Sequence, residues 1–126
     1  GLVSITAEPL TPSIGQAIII GGIGGIICMF GMKLLDKLKI DDVVGAIPVH
    51  MFAGIWGTLV VPLTNPDASY LIQLLGVTSV CIFVFVFSYI VIYLIKNIMG
   101  LRISEEAEKL GTDKSEVGVM AYSIRD

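Results

Sequence analysis

The sequence predicts an all-α, polytopic membrane helical bundle, and three observations carry that prediction. Of the 126 residues, 55% are hydrophobic and 15% charged, with a mean hydropathy of +0.89. Soluble domains carry about 25% charged residues. The charges are also unevenly placed: ten of the nineteen follow Gly100, so three long stretches before it are nearly uncharged. Each stretch reaches the ~20 residues that a helix needs to cross a ~30 Å hydrocarbon core. Three lipid-facing strands could not close a barrel, so helices are the only structure that satisfies its own backbone there. The net charge of −3 gives no reason to expect a nucleic-acid partner.

The predicted spans cover 14–35, 43–63 and 70–95, and their ends carry matching punctuation. Pro12 and Ser13 open the first as an early proline and an N-cap hydroxyl. Asp41 and Asp42 precede the second, where carboxylates meet free N–H groups and the positive end of the helix dipole. Pro62, Asn65 and Pro66 separate the second span from the third. Residues 1–6, GLVSIT, have no initiating Met and no basic region, so they do not read as a signal peptide. They read as the end of an element whose beginning lies upstream, which makes the chain an expected fragment.

The first span holds six glycines, and Gly21 and Gly25 form a G-x-x-x-G pair whose bare backbones share a face for close packing. The third is bulky at 82–87, IFVFVF, and reads as a peripheral helix facing lipid. Cys28 and Cys81 lie inside apolar runs and fit small lipid- or core-facing thiols better than a disulfide. Residues 1–99 are thus the membrane portion, and 100–126 a wet tail. Within the tail, Ser104 caps a predicted short helix over 103–110, supported by the i, i+4 pair Glu105 and Lys109 and ended by Gly111. Residues 112–126 are expected to be irregular.

Lys33, Lys37 and Lys39 cluster between the first two spans, Lys96 and Arg102 follow the third, and the connection between the second and third has no basic residue. The positive-inside rule puts the lysine-rich connection and the C-terminal tail in the cytoplasm.

His50, the only histidine, lies within the second span. An ionisable group at that depth is costly and usually faces a bundle interior or a cavity. Pro48 loosens the preceding turn, and Gly45, Gly54 and Gly57 leave space around the imidazole, which low polarity should keep neutral. The plainer alternative is a histidine bonded between helices for structure alone. Asp41 and Asp42 read as caps rather than a metal or acid–base pair, and Trp56 as a packing residue. No phosphate loop, zinc spacing or nucleophile–base set is present, so neither an enzyme nor a cofactor is expected.

The run 41–50, DDVVGAIPVH, continued by Ala53, Gly54, Ile55, Trp56, Gly57 and Thr58, resembles the penultimate core helix of the ammonium transporter family. The opening GLVSIT resembles the stretch before the preceding helix. The tail GLRISEE at 100–106, followed by Gly111, Asp113, Ser115, Glu116, Gly118, Ala121 and Tyr122, resembles that family's cytoplasmic C-terminal region. The resemblance covers nearly the whole chain, with its motifs in order.

It implies the last three helices of an eleven-helix, inverted-repeat transporter fold, and a cell-membrane homotrimer with a pore in each subunit. His50 would match the second of two facing pore histidines that help pass ammonia, and by most accounts a separated proton, after ammonium is deprotonated. Asp41, Asp42, Pro48, Gly54 and Trp56 would support that helix. Arg102, Glu105, Gly111, Asp113, Ser115, Gly118 and Tyr122 would form the regulatory tail, which in many members works with a P-II-type signal protein. Ser115 sits where some members carry a phosphorylatable threonine.

The chain departs from the family pattern at Met51, where Gly usually follows the histidine, and at Val117 and Val119 in the tail. These departures favour a second reading, a non-transporting ammonium sensor or signalling scaffold. From physics alone, a small three-helix anchor subunit is a third.

Overall fold

The computed structural model describes residues 1–119, and Ala121 and Tyr122 of the tail motif lie outside the described residues. Every regular element is helical: α1 (Leu2–Ile5), α2 (Ile14–Leu38), α3 (Ile47–Leu63), α4 (Tyr70–Ile98) and α5 (Glu105–Leu110), followed by a π turn at Asp113–Val117. The chain forms two compact units, one up to Phe83 and one from Val84 on.

α2 starts where its polar neighbours can satisfy the first N–H groups. Ser13 Oγ accepts from Gln16 N, and Gln16 Oε1 accepts in return from Ser13 N at 2.8 Å. The predicted cap is therefore a full capping box. The helix runs three residues beyond the expected 35 and ends with Lys39 in the left-handed region at φ 57°. Lys39 N donates to the Asp36 carbonyl and Ile40 N to that of Leu35, both at 3.0 Å. That is a Schellman closure with lysine in the usual glycine place.

The second span differs from its expected range of 43–63. Gly45, at φ 69°, holds a turn that keeps Val43 and Val44 out of the helix, so α3 begins at Ile47. It is built from a π segment (Ile47–Phe52), an α segment (Ala53–Val60) and a 3-10 turn (Val61–Leu63). Two described helices, α2 with 25 residues and α4 with 29, are long and apolar enough to cross a membrane. α3 is apolar but shorter. α4 extends three residues past the expected 95 and has no buried residue. Phe85, Tyr89 and Tyr93 stack along it at 6.4 and 6.3 Å.

The core of the first unit is a seam where α1 meets α2 and α3. Ser4 is 1% exposed and its hydroxyl donates to the Ala53 carbonyl at 3.1 Å. It sits on two bare backbones, Gly24 of α2 and Gly57 of α3. A methyl group on Gly24 would come within 2.8 Å of Ser4 Cβ, and one on Gly57 within 2.7 Å of Ser4 Cα. Gly31 makes the same allowance for Pro48 and Phe52, and Gly21 lies against Gly1. Of the expected Gly21–Gly25 face, Gly25 meets no described residue, and the buried stripe of α2 is Ile20, Gly24, Gly31 and Leu35. A period near 3.6 had allowed either face, and the position of α1 chose between them.

In the second unit, Ser104 Oγ accepts from Ala107 N at 3.2 Å, so the tail helix starts at Glu105 rather than 103. Lys109 pairs with Glu105 at 2.7 Å as the spacing predicts, and Arg102 forks onto Glu108 at 2.7 and 2.9 Å. These groups are at least half exposed, so each pair contributes only ~0–1 kcal/mol. Gly111 and Gly118 take positive φ, and the π turn between them replaces the irregular chain expected there.

Over-packing a tight seam costs ~1–3 kcal/mol, whereas a hydrogen bond between membrane helices averages only ~0.6 kcal/mol. Gly24→Ala and Gly57→Ala should therefore lower the thermal midpoint of the purified full-length protein more than Ser4→Ala does. Gly76→Ala, with open space around it, should leave that midpoint unchanged. Equal midpoints for all four variants would refute the account of the seam.

Candidate functional site

His50 lies in the π segment that opens α3, and the local sequence explains why this segment is not regular α-helix. Pro48 carries no N–H and stands in the first turn, where a helix tolerates proline. The two N–H groups before it are taken by Asp42, whose Oδ1 accepts from Ala46 N and Oδ2 from Ile47 N, both at 2.8 Å. Val49 N donates to the Gly45 carbonyl at 3.1 Å, and Ala53 N reaches back to the carbonyls of His50 and Pro48. The last of these spans five residues, which defines a π turn; such turns are frequent at functional sites.

Asp42 is therefore a cap, but it bonds N–H groups four and five residues on rather than the usual two or three. The left-handed turn at Gly45 lies between carboxylate and target. Asp41 is exposed and makes no hydrogen bond with another described residue.

Pro48 is fully buried against Gly31 and Phe52 lies beside it, while His50 and the neighbouring Met51 are exposed on the far side of the turn. The imidazole makes no hydrogen bond with a described residue. The glycines expected to open space around it are used elsewhere: Gly57 seats Ser4, Gly54 lies beside Val3, and Gly45 beside Met32. The indole N–H of Trp56 donates to the Ile20 carbonyl at 3.1 Å, tying α3 to α2. No three His, Cys, Asp or Glu side chains among the described residues gather closely enough to hold a metal ion.

The opposite end of the unit carries a clamp that sequence reasoning missed. Glu8 Oε2 accepts from Asn65 Nδ2 at 3.0 Å, and its other oxygen accepts from Leu10 N at 3.2 Å. Asn65 in turn accepts from Asp67 N at 3.0 Å. The loop after α1 is thereby fastened to the loop after α3. Asn65 signalled a turn in the sequence, but nothing at Glu8 announced a partner 57 residues away. Asn65 first, then the Leu10 N–H and to a lesser extent that of Thr11, hold the Glu8 carboxyl below its ordinary 4.5 against the opposing effect of desolvation.

The tail residues stand apart from His50 in the chain. Arg102 and Glu105 form the ion pairs described above, and Glu108 is a partner that was not anticipated. Asp113 and Ser115 lie in the π turn, where Ser115 N donates to the Gly111 carbonyl at 2.9 Å, and Gly118 ends it at φ 76°.

Comparison with known proteins adds a family. The profile of the Ammonium Transporter Family matches residues 1–122. A protein of Synechocystis sp., whose name assigns ammonium transport provisionally, is 40% identical over 120 residues, covering 94% of this chain and 27% of its own. Ammonium transporter Amt2 of Archaeoglobus fulgidus is 32% identical, covering 97% of this chain and 30% of its own. Ammonium transporter Amt1 of Haloferax mediterranei is 35% identical, covering 97% and 25%. The chain thus spans about a quarter to a third of the length of these relatives.

Two expectations follow from the geometry. Asp42→Asn keeps one acceptor oxygen and loses the other, so it should cost ~1–2 kcal/mol of stability, read as a lower thermal midpoint, while Asp41→Asn should have no effect. Because the Glu8 carboxyl is held low, its stabilisation is present above its ordinary value of 4.5 and is lost as the pH falls through the lowered value. Acidification below that range should therefore lower the midpoint, and Glu8→Gln should flatten this limb. An unchanged acid limb in Glu8→Gln would show that the clamp contributes nothing.

Proposed function

The chain belongs to the ammonium transporter family, and on that premise we propose that it supplies the C-terminal part of a transporter that passes ammonium or ammonia across the cell membrane. The observation that carries this reading is the placement of His50. It stands on the face of α3 turned away from the packed seam, inside the run 41–50 that resembles the family's pore helix. Remaining helices of a longer chain would meet that face, and His50 would line the path between them.

A neutral imidazole has one donor nitrogen and one acceptor. The acceptor can take a proton or a hydrogen bond from ammonium, and the donor can turn to a facing histidine. Water exclusion would favour uncharged ammonia at this depth, since an ion there costs several kcal/mol unless it is paired. Asp42, Pro48 and Trp56 act as supports: they fix the start of α3 and its tie to α2, and Gly54 admits Val3. In this reading α2, α3 and α4 are the last three of eleven helices, the protein is a homotrimer, and the tail is cytoplasmic. The tail's short capped elements then offer a surface for a P-II-type partner or for modification at Ser115. The family's members transport rather than catalyse, and no reaction is proposed.

Met51 favours one alternative. It is 48% exposed beside His50, where the family pattern has glycine. A thioether reaching into the path would narrow it, as suits an ammonium sensor that binds without flux.

Uptake of methylammonium by the full-length protein in transport-deficient cells tests both readings. His50→Ala should reduce uptake about tenfold or more, since tenfold is ~1.4 kcal/mol and leaving a buried polar partner unmade costs ~1–3 kcal/mol. Met51→Gly should raise uptake or leave it intact. Parental uptake in His50→Ala at equal abundance would sink the pathway reading. Ammonium binding without flux in the parent, with flux gained in Met51→Gly, would establish the sensor.

A further inference from the structure

The buried positions of the α3 region are Gly45, Pro48, Ala53, Gly57, Val60 and Val61. From Gly45 to Val60 the steps between them are those of an α-helix, three or four residues, except from Pro48 to Ala53, which is five; Val61 adjoins Val60 where the 3-10 turn begins. One extra residue is therefore accommodated within a single turn, and that turn is the π segment Ile47–Phe52. The insertion has a directional consequence. Each α-helical residue turns the chain by about 100°. With Ala53, Gly57 and Val60 kept in the seam, a regular α-helix would bring His50 within about 60° of the Ala53 direction, into the contact with α1 and α2. The five-residue turn instead places His50 on the far side beside Met51, where both are exposed.

One contact favours the π turn over its α alternative. The Pro48 ring occupies the bare backbone of Gly31: a methyl group there would come within 2.9 Å of Pro48 Cβ and 2.7 Å of Phe52 Cδ2. Pro48 must rotate off this seat if the segment reverts to α.

We propose that the π segment is a register device that turns His50 away from α2, and that Pro48 seated on Gly31 holds it, making Pro48 and Gly31 positioning residues for the histidine. The proposal rests on the reading of His50 as a pathway residue for its functional meaning, but not for its geometry.

Electron cryomicroscopy of the full-length protein tests the geometry. In the parent, Ala53 N should meet the Pro48 carbonyl and His50 should face away from α2. In Pro48→Ala, Ala53 N should donate to the Val49 carbonyl in place of that of residue 48, and the imidazole should swing toward α2 by about one residue of helix, ~100°. Gly31→Ala, which blocks the same seat while keeping the proline, should move His50 in the same sense. An unbroken α ladder through 47–52 in the parent, or an unmoved His50 in both variants, overturns the proposal.

Uptake separates the two ideas. If Pro48 acts through His50, Pro48→Ala should lower uptake about as far as His50→Ala does, and the double variant should fall no further. Additive losses would show that Pro48 acts otherwise and overturn its positioning role. A swing of His50 with uptake indifferent to His50→Ala would leave the register device standing and remove the pathway reading.

Discussion

One close approach governs the first unit: Ser4 lodged between the bare backbones of Gly24 and Gly57. Between membrane helices, lipid tails are as apolar as leucine, so association depends on van der Waals contact and hydrogen bonds rather than on the hydrophobic effect. Contact of that kind needs backbones near one another, which only hydrogen side chains permit here. The hydroxyl of Ser4 adds a bond to the Ala53 carbonyl, but its contribution is small beside the cost of any added methyl. Space, more than polarity, sets where α1, α2 and α3 meet. The indole of Trp56 then fixes how far α3 can slide, because its N–H needs the Ile20 carbonyl.

Polar ties close the seam at its two ends. Asp42 holds the entry to α3 with both carboxylate oxygens, and Glu8 with Asn65 fastens the loops at the other end. Each tie anchors a loop whose backbone would otherwise lack partners. The irregular start of α3 follows from the first tie together with Pro48. The N–H groups of Ala46 and Ile47 are committed to Asp42, that of residue 48 does not exist, and after one four-residue bond from Val49 N to the Gly45 carbonyl the ladder reaches Ala53 with a five-residue step. The position of His50 is thus a consequence of backbone bookkeeping upstream of it.

What the sequence revealed depended on whether the signal was local. The all-helical membrane class, the lengths of α2 and α4, the Ser13 and Ser104 caps, and the Glu105–Lys109 pair all rest on neighbours within a few residues, and they were legible. The start of α3 was misread because Val43 and Val44 continue the apolar pattern while Gly45 turns the backbone away. The choice of Gly24 over Gly25 depended on α1, which is four residues long and gives no periodicity to read. The Glu8–Asn65 clamp and the Arg102–Glu108 fork join residues whose separation carries no pattern. For His50, the sequence supplied its place in an apolar segment beside Pro48, but not its direction. A single extra residue in a turn rotates a side chain by more than a quarter of a circle, and hydropathy cannot count that residue.

The glycine seam has a mechanical side. A contact built from hydrogens, one hydroxymethyl group and the main chain has almost no rotamers to lose or to exchange. It cannot yield the way a leucine-packed interface yields, by a local hop of one side chain into a neighbouring gap. Stress reaching it from either end must pass through as displacement of whole helices, or stop. The seam therefore works less as an adhesive than as a stiff stop, with Ser4 as its peg.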